Sequence, residues 1–303
     1  MKIAYLILAH DNPRHLRRLI RALTSASSKF FVHIDGKSDM RDFSGIDADN
    51  LSFSEKRIAV YWGDFSQVEA TLVLIRQALA DPCRFDRLVL LSGTDYPLHS
   101  PSHIESFFDR NRASEFMDLV QMPSESAGKP ISRLTQFKPR QYQPVMARIT
   151  RKALELIGAI PRERDYRKYL GTLIPYAGSV WWALSGDACR MIQTFSDKEL
   201  AMVNFFKNTH CPDEMFFQTV LGNSPFGSRM VQSLTYTDWS AGGSRPAYIT
   251  EKHLDFFQTT SSIDLDGAYG GGEILFARKF TDDSEGLVTR LEKLIVDKDG
   301  QLG

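Results

Sequence analysis

Little in this chain classifies it at a glance. Its 303 residues include only three cysteines, Cys83, Cys189 and Cys211, far apart in sequence. An odd number without short spacings excludes a disulfide framework and a structural zinc site, and points to a reducing compartment. The 37 basic and 37 acidic side chains cancel to a formal charge of +0, so no global field recruits nucleic acid and any anion site must be local. No run approaches the roughly 18 apolar residues of a membrane span. The opening apolar stretch, Ile3 to Ala9, has no small-residue cleavage site behind it and reads as a buried strand rather than a leader. Walker, GxGxxG, GxSxG and HExxH patterns are absent, so P-loop, dinucleotide, serine-hydrolase and zincin chemistry lose support.

What is present suits a packed α/β protein. Hydrophobic residues make up 43% and charged residues 24%, which allows a sizeable core. "IAYLILAH" is a continuous apolar run of the kind found in central parallel strands. "DNPRHLRRLIRALTS" follows as an amphipathic helix with Leu16, Leu19, Ile20 and Leu23 on one face. "KFFVHID" and "RIAVYW" read as a second and third strand. "SQVEATLVLIRQALAD" reads as a helix capped by Ser66, "FDRLVLLSG" as a fourth strand, and "SPSHIESFFDR" as the start of a helix. This alternation predicts a doubly wound, mostly parallel sheet with helices on both faces and a loop-rich C-terminal part. Ligands of such sheets bind beyond the strands' carboxyl ends, which gathers His10, Asp35, Trp62 and the "SGTDYP" loop at one crevice.

Further on, "GSVWWALS" reads as a strand and "PDEMFFQTVLG" as a short helix opening at Pro212, with the tail from Ser240 loop-like around "AGGSRP" and "YGGGE". The stretch 138–168 is rich in Lys and Arg; a solvated helical face accounts for it, and a surface for phosphate-bearing lipid or acidic glycan is the alternative.

The paired acids Asp213 and Glu214 admit two readings. They are either ordinary first-turn acids that complement a helix dipole, or include a general base kept ionised by that dipole. Lys129, Arg133, Arg245, Arg278 and Lys279 lie in loop or segment-edge positions and offer a cationic route to a diphosphate. Asp35 stands in "HIDGKSD" without an Asp two residues on, Asp95 either caps a turn or touches substrate, and the seven histidines are read as scattered. The expectation is therefore no metal.

Taken together and in order, "AYLILAHDNPRHLRRLIRAL", "FVHIDGKS", "VYWGDFSQVEATL", "LLSGTDYPL", "GSVWWALS", "CPDEMFFQT" and "LFARKF" resemble the core-2/I-branching β-1,6-N-acetylglucosaminyltransferases of glycosyltransferase family 14, which include protein O-xylosyltransferases. The resemblance covers nearly the whole chain. It implies a GT-A-like fold and an inverting, metal-independent transfer, most readily of N-acetylglucosamine, from a UDP-sugar to a glycan or lipid-linked glycan acceptor. Glu214 falls on the family's catalytic base. Lys279 falls on a diphosphate lysine, with Arg278 and Arg245 nearby. Ala9, His10 and Asp35 fall on nucleotide contacts, and Trp62 on an aromatic ring facing the uridine. Asp95, Lys129, Arg133, Tyr236 and Trp239 are the candidates for substrate contact, the last two in an aromatic acceptor segment.

The whole of 1–303 is expected to be one catalytic domain, with a nucleotide-binding half at 1–110 and an acceptor-binding half at 111–303. Vertebrate members carry a membrane anchor and stem, whereas this chain starts at the catalytic domain, as expected of a bacterial relative. It is expected to be cytoplasmic, with peripheral contact at the inner membrane. The alternatives are a xylosyl- or glucuronosyl-transferase, a metal-dependent enzyme using Asp35 or Asp95, and a non-catalytic nucleotide-sugar binder.

Overall fold

The computed structural model describes residues 1–141, 145–159, 163–240, 242, 245–259 and 269–302. The first half supplies β1 (Ile3–Ala9), α1 (Pro13–Leu23), β2 (Ser28–Ile34), β3 (Leu51–Phe53), α2 (Ser66–Ala80), β4 (Arg87–Ser92), β5 (Asp95–Pro97) and α3 (Pro101–Arg110). The second half begins with β6 (Glu115–Met117), β7 (Val120–Gln121), α4 (Ser132–Thr135), α5 (Val145–Leu156), α6 (Arg167–Leu170) and β8 (Tyr176–Ala177). It continues through β9 (Trp182–Ser185), α7 (Gly186–Lys198), α8 (Leu200–Phe206), α9 (Phe216–Gly222), β10 (Met230–Val231) and β11 (Thr235–Thr237). It ends with α10 (Glu251–Thr259), β12 (Phe276–Arg278) and α11 (Glu285–Leu302).

The main sheet has seven strands in the order β10-β6-β9-β4-β1-β2-β3. β1 pairs in parallel with both β2 and β4, β2 with β3, and β6 with β10, whereas β9 runs antiparallel between β4 and β6. The second half thus completes the sheet begun by the first. Side-chain alternation along β1 divides the core in two. Ile3, Tyr5, Ile7 and Ala9 join the cluster under α1, α3, α10 and α11, while Ala4 and Leu6 join the cluster under α2, α7, α8 and α9. Helices therefore cover both faces, as the strand–helix alternation predicts.

Four details differ from the sequence reading. The stretch "RIAVYW" is not a strand; the sheet edge beside β2 is taken by β3, with Phe30 facing Leu51. Residues 57–60 run as coil across the end of β2, where His33 Nε2 accepts from Ile58 N at 2.8 Å and Gly36 N donates to Ile58 O at 2.8 Å. Ser66 is not a cap but the first residue of α2, and its hydroxyl accepts from Tyr61 N at 2.9 Å. "SGTDYP" includes a strand, β5, and the C-terminal tail includes a helix, α10. Residues 241, 243–244 and 260–268, within the expected glycine-rich tail, lie outside the described residues.

The basic stretch carries α5, in which Met146, Ile149 and Leu156 are more than half exposed, as is Ile157 just after it. Among the described residues no helix is long and apolar enough to cross a membrane.

Candidate active site

The carboxyl ends of β1, β2 and β4 are tied into one edge. Asp35 N donates to Ala9 O, and Gly93 N to Leu8 O, both at 2.8 Å. Ala9 is buried there, whereas His10 is exposed with its ring 3.3 Å from the Asp11 carboxylate. Asp35 accepts from Lys37 N and Lys37 Nζ, each at 2.8 Å, and from Val60 N at 3.3 Å. Burial pushes its carboxyl up, but these bonds outweigh burial and hold it below the usual range. Trp62 follows in the coil rather than at a strand end; its indole is 62% exposed and meets the His210 ring edge-on at 5.8 Å.

Glu214 enters from the next turn. Cys211 adopts a left-handed conformation (φ 49°) and donates its N–H to Gly63 O at 3.1 Å, which pins the turn to the Trp62 loop. Gly63 is itself at φ 66°, where a side chain would be strained. Pro212–Glu214 form a short 3-10 turn, and α9 starts only at Phe216 after a break at Met215. The expected first-turn position is therefore corrected, and a helix dipole is not what ionises Glu214. Its Oε2 instead accepts from Lys129 Nζ and Arg133 Nη1, each at 2.5 Å. Burial pushes the Glu214 carboxyl up, yet Lys129 and then Arg133 outweigh it and hold it below its ordinary range. The side chain remains 26% exposed, open to a ligand on one flank.

Its backbone is fixed as well. Gly178 N donates to Glu214 O at 2.9 Å, and Gly178 packs so closely on Asp118 O that a Cβ would lie 1.8 Å from it. The neighbouring Asp213 is buried with one carboxyl oxygen unpartnered among the described residues. Burial and then the Glu214 charge push it up to about 7.

The remaining candidate cations are carried by the three-stranded sheet. β12 lies between β11 and β5, so Arg278 faces Asp95 across an antiparallel pair. Its Nε is 3.1 Å from Asp95 Oδ1, and its guanidinium stacks 4.2 Å over the Trp181 ring. Asp95 is 0% exposed and also accepts from Ser92 N at 2.9 Å and Ser92 Oγ at 2.6 Å. The structure thus places Asp95 behind Arg278, out of reach of solvent. Lys279 is partly buried, and its ammonium is pushed down by burial, then by Arg278 and Arg245. Three cations therefore converge here. Among the described residues neither Lys279 nor Arg245 has a carboxylate within ion-pair distance. Trp181 stands just ahead of β9, three residues past Gly178, so one short segment braces both the acid turn and Arg278.

Tyr236 lies on β11 with its ring against Phe256, Phe257 and His253, which makes it mainly a packing residue; Trp239 is 56% exposed. Sequence reasoning missed His210, which links Trp62 to Lys138 Nζ at 3.0 Å, and Trp181 under Arg278. It also missed Tyr269, whose hydroxyl is pushed up by burial, then by Asp118 and Glu214. "THCPDE" and "VWW" carried the first two in plain view; Tyr269 had no local signal. The histidines, too, are less scattered than expected, since His99 and His103 stack at 4.1 Å.

Comparison with known proteins agrees with the motif order. The model of the Core-2/I-Branching enzyme family matches residues 3–259. The chain is 26% identical over 250 residues to xylosyltransferase 2 of Homo sapiens, covering 79% of this chain and 27% of that protein. It is 27% identical over 250 residues to xylosyltransferase 1 of Rattus norvegicus, covering 79% and 28%. The chain thus spans little more than a quarter of the length of these relatives. Among solved structures it is similar to mouse xyloside xylosyltransferase 1 in its apo form, at 14% identity and a TM-score of 0.35, covering 91% and 97% of the two chains. With a family match over most of its length, and the motifs of that family in order along its sequence, the chain belongs to the Core-2/I-Branching enzyme family.

Proposed function

We propose that the chain is an inverting glycosyltransferase that moves a sugar, N-acetylglucosamine first among candidates, from a UDP-sugar to a hydroxyl of a glycan or lipid-linked glycan. The observation that carries this reading is the Glu214 carboxylate, held ionised by Lys129 and Arg133 yet open on one flank. In the proposed reaction the acceptor oxygen attacks C1 of the sugar from the face opposite the diphosphate. The C1–O bond to UDP breaks, and Glu214 takes the acceptor's proton. The departing diphosphate gains negative charge, and Lys279 and Arg245 would stabilise it. Ala9, His10, Asp35 and Trp62 border the edge on which the nucleoside would lie.

The same cations support donor binding without a divalent metal. Among the described residues the group of three clustered metal-type ligands is His99, His103 and Glu273, which does not include Asp35 or the residues around Glu214. A xylosyl donor is the second reading, favoured by the relatives' names. The exposed apolar residues of the basic helix α5 support peripheral membrane contact, which flotation with anionic vesicles would test. The deciding experiment is calorimetric titration of UDP in excess EDTA, followed by a UDP-sugar transfer screen. Binding in EDTA and turnover of one donor are expected. Binding only with Mn²⁺ would overturn the metal-free site, and no UDP binding under either condition would overturn the donor class.

A further inference from the structure

The β5–β12 pair builds a second constellation beyond its Asp95–Arg278 end. Pro97 faces Phe276, and the ladder continues with Leu98 N donating to Leu275 O at 2.8 Å. That register brings His99 opposite Ile274 and next to Glu273. Ser100 then caps α3, its hydroxyl accepting from His103 N, and the His103 ring stacks on that of His99 at 4.1 Å. Strand register and helix phase together converge two imidazoles and a carboxylate from segments 170 residues apart. His103 Nε2 is 2.6 Å and His99 Nε2 3.9 Å from the same oxygen, Glu273 Oε1.

We propose that His99, His103 and Glu273 form a transition-metal site, with zinc the best fit, that clips the lead into β12 to the start of α3. One potential ligand atom from each residue lies within 4.8 Å of the others, and all three side chains are partly shielded, at 14%, 19% and 27% exposure. Two imidazoles and one carboxylate are a donor set of open zinc sites, whereas magnesium and calcium require mostly oxygen. A second feature is the register behind the ligands: the Leu98 N–H bond to Leu275 O, one residue from His99 and two from Glu273, fixes the backbone that carries them. The stacked rings alone gain little from one another at 4.1 Å; a shared cation would give both a common partner. The bound ion would hold Glu273, five residues ahead of Arg278, and so steady the strand that ends at Arg278, beside Lys279.

The test uses the whole purified chain, stripped with EDTA and dialysed. Zn²⁺ competition against a chromophoric chelator should show one ion per chain, with thermal unfolding raised by Zn²⁺ and not by Mg²⁺. His99→Ala and His103→Ala should each weaken Zn²⁺ at least tenfold, with Glu273→Gln also weaker. Co²⁺ on the unaltered chain should give visible d–d bands without a thiolate charge-transfer band, a readout that needs no variant. Absence of Zn²⁺ binding, affinity unchanged in all three variants, or a thiolate band would overturn the proposal. Binding of UDP is not part of the readout, so failure here is separate from failure of the transferase reading.

Discussion

Asp95 and Glu214 are both carboxylates engaged by cations at the same end of one sheet, and their surroundings give them opposite tasks. Asp95 is 0% exposed; burial pushes its carboxyl up, and Arg278, Ser92 and Lys279 offset that only in part. Glu214 keeps 26% exposure, and there Lys129 and Arg133 win, so its carboxyl is pushed down. The first pair is locked by strand pairing, stacking on Trp181 and the full burial of Asp95. It can position Arg278 beside Lys279 but cannot exchange partners. The second pair sits on side chains from α4 and from the loop before it, at the rim, where a ligand can compete for the cations. Under the proposed function, the same ion-pair chemistry would serve as scaffold at Asp95 and as working group at Glu214, which keeps 26% exposure.

The sharpest way to break this contrast is Asp95→Ala. It leaves the largely buried Arg278 charge without its carboxylate and should cost about 3–5 kcal/mol, read by urea denaturation. A loss below about 1 kcal/mol would place Asp95 with the rim carboxylates instead. Gly178→Ala comes next: its methyl would meet Asp118 O at 1.8 Å, so the turn holding Glu214 O must shift. An overpacking cost of about 1–3 kcal/mol is expected, with transfer reduced further than stability alone explains. Unchanged stability and rate would show that this close approach has no part in placing the acid.

Lys129→Ala tests the rim pair itself. Glu214 is depressed in the folded chain, so its contribution to stability is present above the unfolded carboxyl value and is lost as pH falls through the folded one. Removing Lys129 raises the folded value, so that contribution shrinks and the acid limb of kcat/KM moves to higher pH. An unmoved acid limb would detach Glu214 from the titration that governs rate. Smallest in its effect on the fold is Trp62→Ala, since the indole is 62% exposed. Stability should stay within about 0.5 kcal/mol while UDP binds more weakly, as calorimetry would show. Equal affinity would remove Trp62 from the nucleoside edge.

Much of this was legible in the sequence where the physics is local. The unbroken apolar run of β1 and the leucine face of α1 reflect burial on two sides and on one, and both elements stand where the pattern puts them. The motif order identified the family without any geometry. Long-range partners were not legible. Lys129 and Arg133 reach Glu214 across more than 80 residues. Residues 57–62 have a strand's composition, yet β3 already fills the edge and the segment's polar groups are satisfied by His33 and Asp35 instead. The start of "PDEMFF" looked like a helix because proline and acids suit a first turn; the left-handed Cys211 and the break at Met215 come from packing against Gly63 and Gly178. His99 and His103 carry a visible spacing of four, but Glu273 joins them only through strand register.

Glu214→Gln tests the central claim most directly, measured both for transfer and for UDP binding. The amide keeps the shape of the side chain but cannot accept the proton as a carboxylate does. The account predicts UDP affinity close to that of the unaltered chain and transfer slowed by about 10²–10⁴-fold. Near-normal transfer by Glu214→Gln would contradict it, and the base would have to be sought elsewhere on the rim.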